Sequence, residues 1–286
     1  LKEIAPVFAH HIKPLRSEQP QNYEAYDFAH GCAIYAATIP AGPSARLECK
    51  ALLDFGWVFL DGKKIDVMDR RARRYSVTLP PRPADSRLEI LVYTMGRVNF
   101  GAAVHDRKGI HAPVVLTPQG GAPQILTGWE FYPIPLDGAM PDGFTFTKTA
   151  KTTEDAPAFR RGTFELTQVG DTFLDMSVWG KGMVWVNGHS LGRYWNIGPT
   201  QTMYLPAPWL KKGINEVIVL DVLGPDTPRL EGLSTPILGK LHPEKDFARV
   251  VRKGTLKLEG VNPVASGTFP QGAGYQEIKF TAPIKA

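Results

Sequence analysis

Long hydrophobic runs are missing from this sequence. No stretch approaches the roughly 18 consecutive apolar residues that a membrane-crossing helix requires, so no helical span is expected. Helical periodicity is missing too. No long segment repeats its apolar residues every three or four positions, which argues against helices as the frame of the fold. Cysteine is scarce: Cys32 and Cys49 are the only two. Without a CxxC spacing they make no zinc site alone. They either pair, lie buried as free thiols, or stand on strands too far apart to bond. The short motifs of nucleotide and hydrolase chemistry are absent as well: there is no GxGxxG, no phosphate-binding P-loop and no GxSxG elbow. The seven histidines are dispersed apart from His10 and His11, so no metal-ligand set is visible. Calcium held by loop carbonyls would leave almost no trace in a sequence.

What is present is backbone punctuation. The 286 residues include 28 Gly and 25 Pro, well spread, which favours many short elements joined by turns. Val, Ile, Thr and aromatic residues are plentiful and point to strands. With 43% hydrophobic and 21% charged residues the composition is that of a globular protein, and the length sets two domains as the prior. The net charge of +5 is modest. The densest basic run, DRRARRY at 69–75, reads as a solvated strand edge, with a nucleic-acid patch as the alternative. The chain opens on Leu1 rather than Met and closes on Ala286, next to an apparent strand at 276–280. It therefore reads as a piece of a longer protein.

The sequence also repeats itself. GWVFLDGK at 56–63 matches GMVWVNGH at 182–189, an offset of 126 (182 − 56). VTLP at 77–80 matches MYLP at 203–206, again offset by 126 (203 − 77), and LEILV at 88–92 matches NEVIV at 215–219, offset by 127 (215 − 88). Asp-Gly and Asn-Gly between apolar runs are hairpin signals, because a type I′ turn needs positive φ at both central residues. Leu-Pro ends a strand, since Pro cannot donate to the ladder. The branched apolar runs read as strands buried in a sandwich. The expected fold is all-β: two tandem β-sandwiches of jelly-roll size plus a truncated third β segment. One helical turn is expected near 206–213. The boundaries drawn are a lead-in over 1–22, a first sandwich over 23–118, a bridge and long loop packing with the second sandwich over 119–158, a second sandwich over 159–222, a linker over 223–245, and a truncated segment over 246–286.

Glycoside cleavage needs two carboxylates flanking one bond. Glu130, Glu165, Glu216 and Asp221 fall on predicted strands with no visible partner. The residues left for recognition are aromatic, Arg and Asn side chains on turns, which can stack on pyranose rings and donate to hydroxyls. They occur at 95–101 and at 187–195. Packing at a domain interface is the competing reading for both.

Here a resemblance enters. MGRVNFG at 95–101, followed by DRKGI at 106–110, resembles the MGRVN-aromatic-G and D-x-KG blocks of glycoside hydrolase family 35 β-galactosidases. KGMVWVNGHSLGRYW at 181–195, continued by GPTQTMYLP at 198–206, resembles a second pair of blocks of that family in the same order. The resemblance covers roughly 23–222. It implies a (β/α)₈ barrel with two catalytic glutamates, followed by two galactose-binding-like sandwiches, in an enzyme that releases terminal β-linked galactose with retention. The present sequence resembles only the part after the barrel, and is too short to hold a barrel of about 250 residues as well. No catalytic residue, cofactor or metal is therefore expected here. The resemblance implies that the aromatic residue of the first block, Phe100, walls the galactose pocket. Animal members carry Tyr there, and Phe lacks the hydroxyl. It further implies that Arg97 and Asn99 hold that loop in shape, that Asp106 and Lys108 form a structural charge pair, and that Trp185, Asn187, Arg193, Tyr194 and Trp195 are interface or sugar contacts. The implied partners are a galactoside or galactan and the N-terminal barrel of the same parent chain, without nucleic acid or membrane, in a periplasmic or secreted setting.

The tail adds a second resemblance. VASGTF at 264–269 and QEIKFTAPIKA at 276–286 look like the start of a discoidin-type (factor 5/8 C) domain. Two other readings compete with the β-galactosidase one. A free-standing carbohydrate-binding module would bind galactose or galactan unaided. A purely structural module would bury Phe100 and Trp195 against protein.

Overall fold

Strands that are apolar at every position, rather than at alternate ones, need cover on both faces. In the computed structural model this cover comes from stacking four sheets. The structure describes residues 1–111, 113–136, 138–148, 156–225 and 228–246, and the backbone alone of 250–254 and 267–271.

Each unit is built on six strands in the same order. In the first they are Gly31–Ile39, Ala45–Glu48, Phe55–Leu60, Lys63–Asp69, Ser76–Leu79 and Ser86–Tyr93. In the second they are Ala158–Leu166, Thr172–Asp175, Lys181–Val186, His189–Trp195, Thr202–Leu205 and Gly213–Asp221. In both units the larger sheet runs one–six–three–four, and strands two and five lie in the smaller sheet. The all-β double sandwich is as expected.

The hairpin turns are equivalent in detail. Asp61 and Gly62 have φ of 50° and 75°, and Asn187 and Gly188 have 49° and 81°, the double positive φ of a type I′ turn. Asp61 Oδ1 accepts from Arg87 N at 2.7 Å, and Asn187 Oδ1 accepts from Glu216 N at 3.0 Å. Even the β-bulge recurs, between Val58 and Phe59 and between Val184 and Trp185. One feature of the repeat is corrected. Leu60 pairs with Leu88, and Val186 pairs with Val217, so the sixth strands correspond at an offset of 129 (217 − 88), two more than the sequence match. The expected helical turn is a single 3₁₀ turn over Ala207–Trp209.

Segments outside the repeat extend these sheets. Glu3–Pro6 pairs with Ala158–Leu166 at the edge of the second unit's larger sheet. Leu15–Ser17 and Trp129–Pro135 extend the larger sheet of the first. Gly232–Leu233 joins the smaller sheet of the second. The stretch 1–22 thus supplies strands to both sandwiches, and part of 223–245 is built into the second. Val250–Gly254 pairs with Gly267–Gln271. The remainder of the discoidin-like segment lies outside the described residues.

Three apolar layers follow from strict alternation. Ala33, Tyr35, Ile90 and Val92 face the core of the first sandwich, and Val184, Val186, Val217 and Val219 that of the second. The residues between them, Ile34, Trp57, Leu91 and Tyr93 on one side and Met183, Trp185, Ile218 and Leu220 on the other, form a third core between the sandwiches. Cys32 lies in that middle layer and Cys49 in the first, both buried and not joined in a disulfide. Burial pushes the Cys32 thiol up to about 12.

Candidate functional site

The two sequence blocks singled out above meet in space where the sandwiches join. The first is a loop over 95–108 that leaves the end of Ser86–Tyr93. Both of its ends are held by carboxylates from elsewhere in the first sandwich. Asp54 Oδ2 accepts from Met95 N at 2.8 Å, and both Asp54 oxygens accept from Lys108 Nζ, at 2.9 and 2.8 Å. Glu24 pairs with Arg97 and accepts from Lys108 N at 3.1 Å. Arg97 also donates to the Ala29 carbonyl. Partial burial of Glu24 opposes its charge, but the Arg97 guanidinium and the backbone donors hold its carboxyl below the ordinary range.

Asp106 and Lys108 do not pair with each other, contrary to expectation. Lys108 is 2% exposed and bonds Asp54, whereas Asp106 pairs with Arg70, which reaches Asp54 through its other amino group at 3.2 Å. Side chains two apart on an irregular segment point to different neighbours, and each finds its counter-charge on a distant turn or bend, Asp106 at Arg70 and Lys108 at Asp54. Asn99 is exposed, and none of the described residues hydrogen-bonds its side chain. Phe100 stands at 88% exposure.

The second block reaches the same loop from the other sandwich. Lys181 Nζ donates to Met95 Sδ at 3.0 Å and lies 3.6 Å from the centre of the Trp195 ring. Burial, then the nearby guanidinium groups of Arg71 and Arg193, push the Lys181 amine well below the ordinary lysine range. Gly96 has φ of 95°, and a Cβ there would stand 3.2 Å from Arg193 Nη1. Arg71 stacks on Trp195 and Phe55 while bonding Asp69 and Asp246. The basic run 69–75 forms the turn after the strand Lys63–Asp69 rather than a strand edge. Arg70, Arg71 and Arg74 are each paired with carboxylates.

The remaining candidates are packed. Trp185 is in the middle core, donating to the Gly138 carbonyl at 2.8 Å. Asn187 is spent on its turn, donating to Trp209 O and Asn215 Oδ1. Tyr194 faces the second core, its hydroxyl 2.8 Å from both Leu220 O and Asp221 Oδ2. Asp221 is fully buried, and burial raises its pKa in spite of the donors from Tyr194 and three backbone amides. Glu130, against the opposing effect of partial burial, is held at about 2 by Arg87, Tyr132 and Arg16. Glu165 is exposed, and Glu216 faces Arg161 at 4.0 Å. Among the described residues no group of three or more His, Cys, Asp or Glu side chains could hold a metal.

Asp54, Glu24 and Arg70 were not anticipated as loop anchors. The signal for Asp54 was a lone carboxylate within the apolar run 51–60. It becomes interpretable only when Lys108 is brought to it.

Two family profiles match the chain. "Beta-galactosidase, first all-beta domain" covers residues 20–135, and "Beta-galactosidase, galactose-binding domain" covers residues 157–215. A beta-galactosidase of Xanthomonas manihotis is 34% identical over 72% of this chain and 33% of its own length. The human beta-galactosidase-1-like protein 2 is 33% identical over 80% of this chain and 36% of its own. Beta-galactosidase 1 of Dictyostelium discoideum is 32% identical over 73% of this chain and 33% of its own. The chain thus spans about a third of the length of the curated relatives it matches.

Proposed function

The chain belongs to the β-galactosidase family, two of whose β-domains it contains, and from that premise we propose that it is the non-catalytic part of an enzyme that removes terminal β-D-galactose residues. In this reading the catalytic carboxylates sit on a separate (β/α)₈ barrel. The loop 95–108 abuts that barrel, and Phe100 supplies an apolar wall of the galactoside pocket.

The observation that carries the reading is the loop itself. It is tied down at both ends by buried and half-buried carboxylates, yet it holds Phe100 in the open at 88% exposure. An aromatic side chain fixed in that way is a contact awaiting its other half. Trp185 and Trp195, by contrast, are already occupied by protein.

Two measurements test the proposal. The purified 286-residue chain should leave a chromogenic β-galactoside intact. In the barrel-containing enzyme, Phe100→Ala should raise KM for galactosides by about tenfold or more while kcat falls less, as for the loss of one apolar pocket contact. Hydrolysis by the chain alone, or kinetics unchanged by Phe100→Ala, would overturn the proposal. Saturable galactose binding by the isolated chain would favour a carbohydrate-binding module instead.

A further inference from the structure

The start of the loop 95–108 is held from the opposite sandwich, by a residue with an unusual environment. Lys181 opens the strand Lys181–Val186 and is 1% exposed. Among the described residues no carboxylate forms an ion pair with it; its hydrogen bond runs to Met95 Sδ at 3.0 Å. Aromatic rings surround the ammonium, with Trp195 at 3.6 Å, Phe55 at 5.3 Å and Tyr93 at 5.4 Å. A thioether is a weak acceptor, so the ring faces must supply most of what replaces water around this cation. Arg71 and Arg193 disfavour the charge, and Asp69 and Asp246 partly offset them.

An ammonium in such a place is an inefficient way to fill space. Methionine or leucine would pack there without the desolvation penalty. What the ammonium adds is a directed donor aimed at one sulfur atom on the neighbouring sandwich. Met95 is itself 42% exposed and could swing outward without losing much burial. Its backbone N–H goes to Asp54, and Gly96, next in sequence, packs under Arg193. The Lys181 contact therefore acts at the point where the loop leaves the sheet.

We infer that Lys181 is a positioning residue: from the second sandwich, its caged ammonium fixes Met95, and through Met95 it sets the path of the loop that presents Phe100. The second sandwich then shapes the recognition surface of the first without touching a ligand. Any effect on galactoside binding rests on the function proposed above; the positioning itself does not.

The test separates a directed cation from mere filling. Lys181→Met keeps the length and the apolar stem and removes the charge. In the 286-residue chain, global stability should hold or rise, while hydrogen exchange at the Met95 amide and tryptic cleavage after Arg97 should speed up by about tenfold, as expected when a desolvated cation–π contact is lost. Lys181→Arg, which restores a cation to the cage, should bring both rates most of the way back. The exposed Lys212→Met should change neither. Unchanged loop exchange in a folded Lys181→Met chain overturns the inference. Should Lys181→Met fail to fold, Met95→Leu decides: faster exchange at residue 95 supports the positioning, and an unchanged rate overturns it. In the barrel-containing enzyme, Lys181→Met should raise KM more than it lowers kcat. A loosened loop with unaltered KM would overturn the proposed function and leave the positioning intact; a loop that does not loosen would do the reverse.

Discussion

Asp54 is the residue on which the loop 95–108 depends most. It receives the backbone N–H of Met95 at one end of the loop and the ammonium of Lys108 at the other, and it shares Arg70 with Asp106. The Lys108 and Asp54 side chains are only 2% and 9% exposed. In a buried pair the cost of removing one partner is set by the charge left behind. Asp54→Ala should therefore destabilise the chain by about 3–5 kcal/mol in urea titrations, while Asp54→Leu combined with Lys108→Met should lose far less, because both charges leave together. Equal losses from the single and double replacements would show that the pair is not what holds the loop. The loop and its tip are legible in the sequence, but these anchors are not. Its motif set Asp106 beside Lys108, and neighbours in sequence read naturally as partners. The actual partners lie 36 and 54 residues away. Charge spacing along a chain carries no information about which strands will later face it.

At the level of elements, the hairpins were readable and the strand register was not. Asp61-Gly62 and Asn187-Gly188 adopt the turn that their residue types require, because positive φ at two successive positions is a local demand. The register of the sixth strand is set by pairing across a long connection, which is why the sequence match misplaces it by two residues. The turn side chains also do something no pattern announces. Each caps the same backbone N–H of the sixth strand, so the turn fixes the register of a strand to which it is not joined. Replacing Asn187 by Ala removes that bond along with the bonds to Trp209 O and Asn215 Oδ1, and leaves a Cβ-bearing residue without a polar side chain at φ 49°. The loss should be about 2 kcal/mol or more, against about 1 kcal/mol for Gly188→Ala, where the side chain meets open space and only the backbone conformation is strained. Urea midpoints of the two variants check the ranking, and the reverse order would show that the turn's backbone, not its side-chain bonds, governs the hairpin.

At the scale of the whole molecule, the third core decides whether there are two bodies or one. The runs at 55–60 and 183–186 are apolar on both faces, and sequence alone reads them as strands buried in a sandwich. What covers the second face is a tertiary fact: each sandwich is the other's lid. Phe55, Trp57, Phe59 and Tyr93 meet Phe159, Met183, Trp185 and Leu220 there, and Arg71, stacked on Trp195 and paired with Asp246, closes the rim. Neither larger sheet could present that face to water without exposing a contiguous aromatic patch. Glu3–Pro6 adds a covalent tie, since the segment that precedes the first sandwich is an edge strand of the second. The two units should therefore unfold together. Ile90→Ala lies in the core of the first sandwich alone and should cost about 2–5 kcal/mol as a core truncation. If the bodies are coupled, hydrogen exchange through global unfolding should accelerate by the same factor at residues 33–37 of the first sandwich and at residues 217–220 of the second, and the two should share one denaturant midpoint. If the second sandwich kept its wild-type protection while the first lost its own, the middle layer would be a contact between independent domains. The path from Lys181 to Phe100 would then cross a joint that can open, rather than a core that cannot.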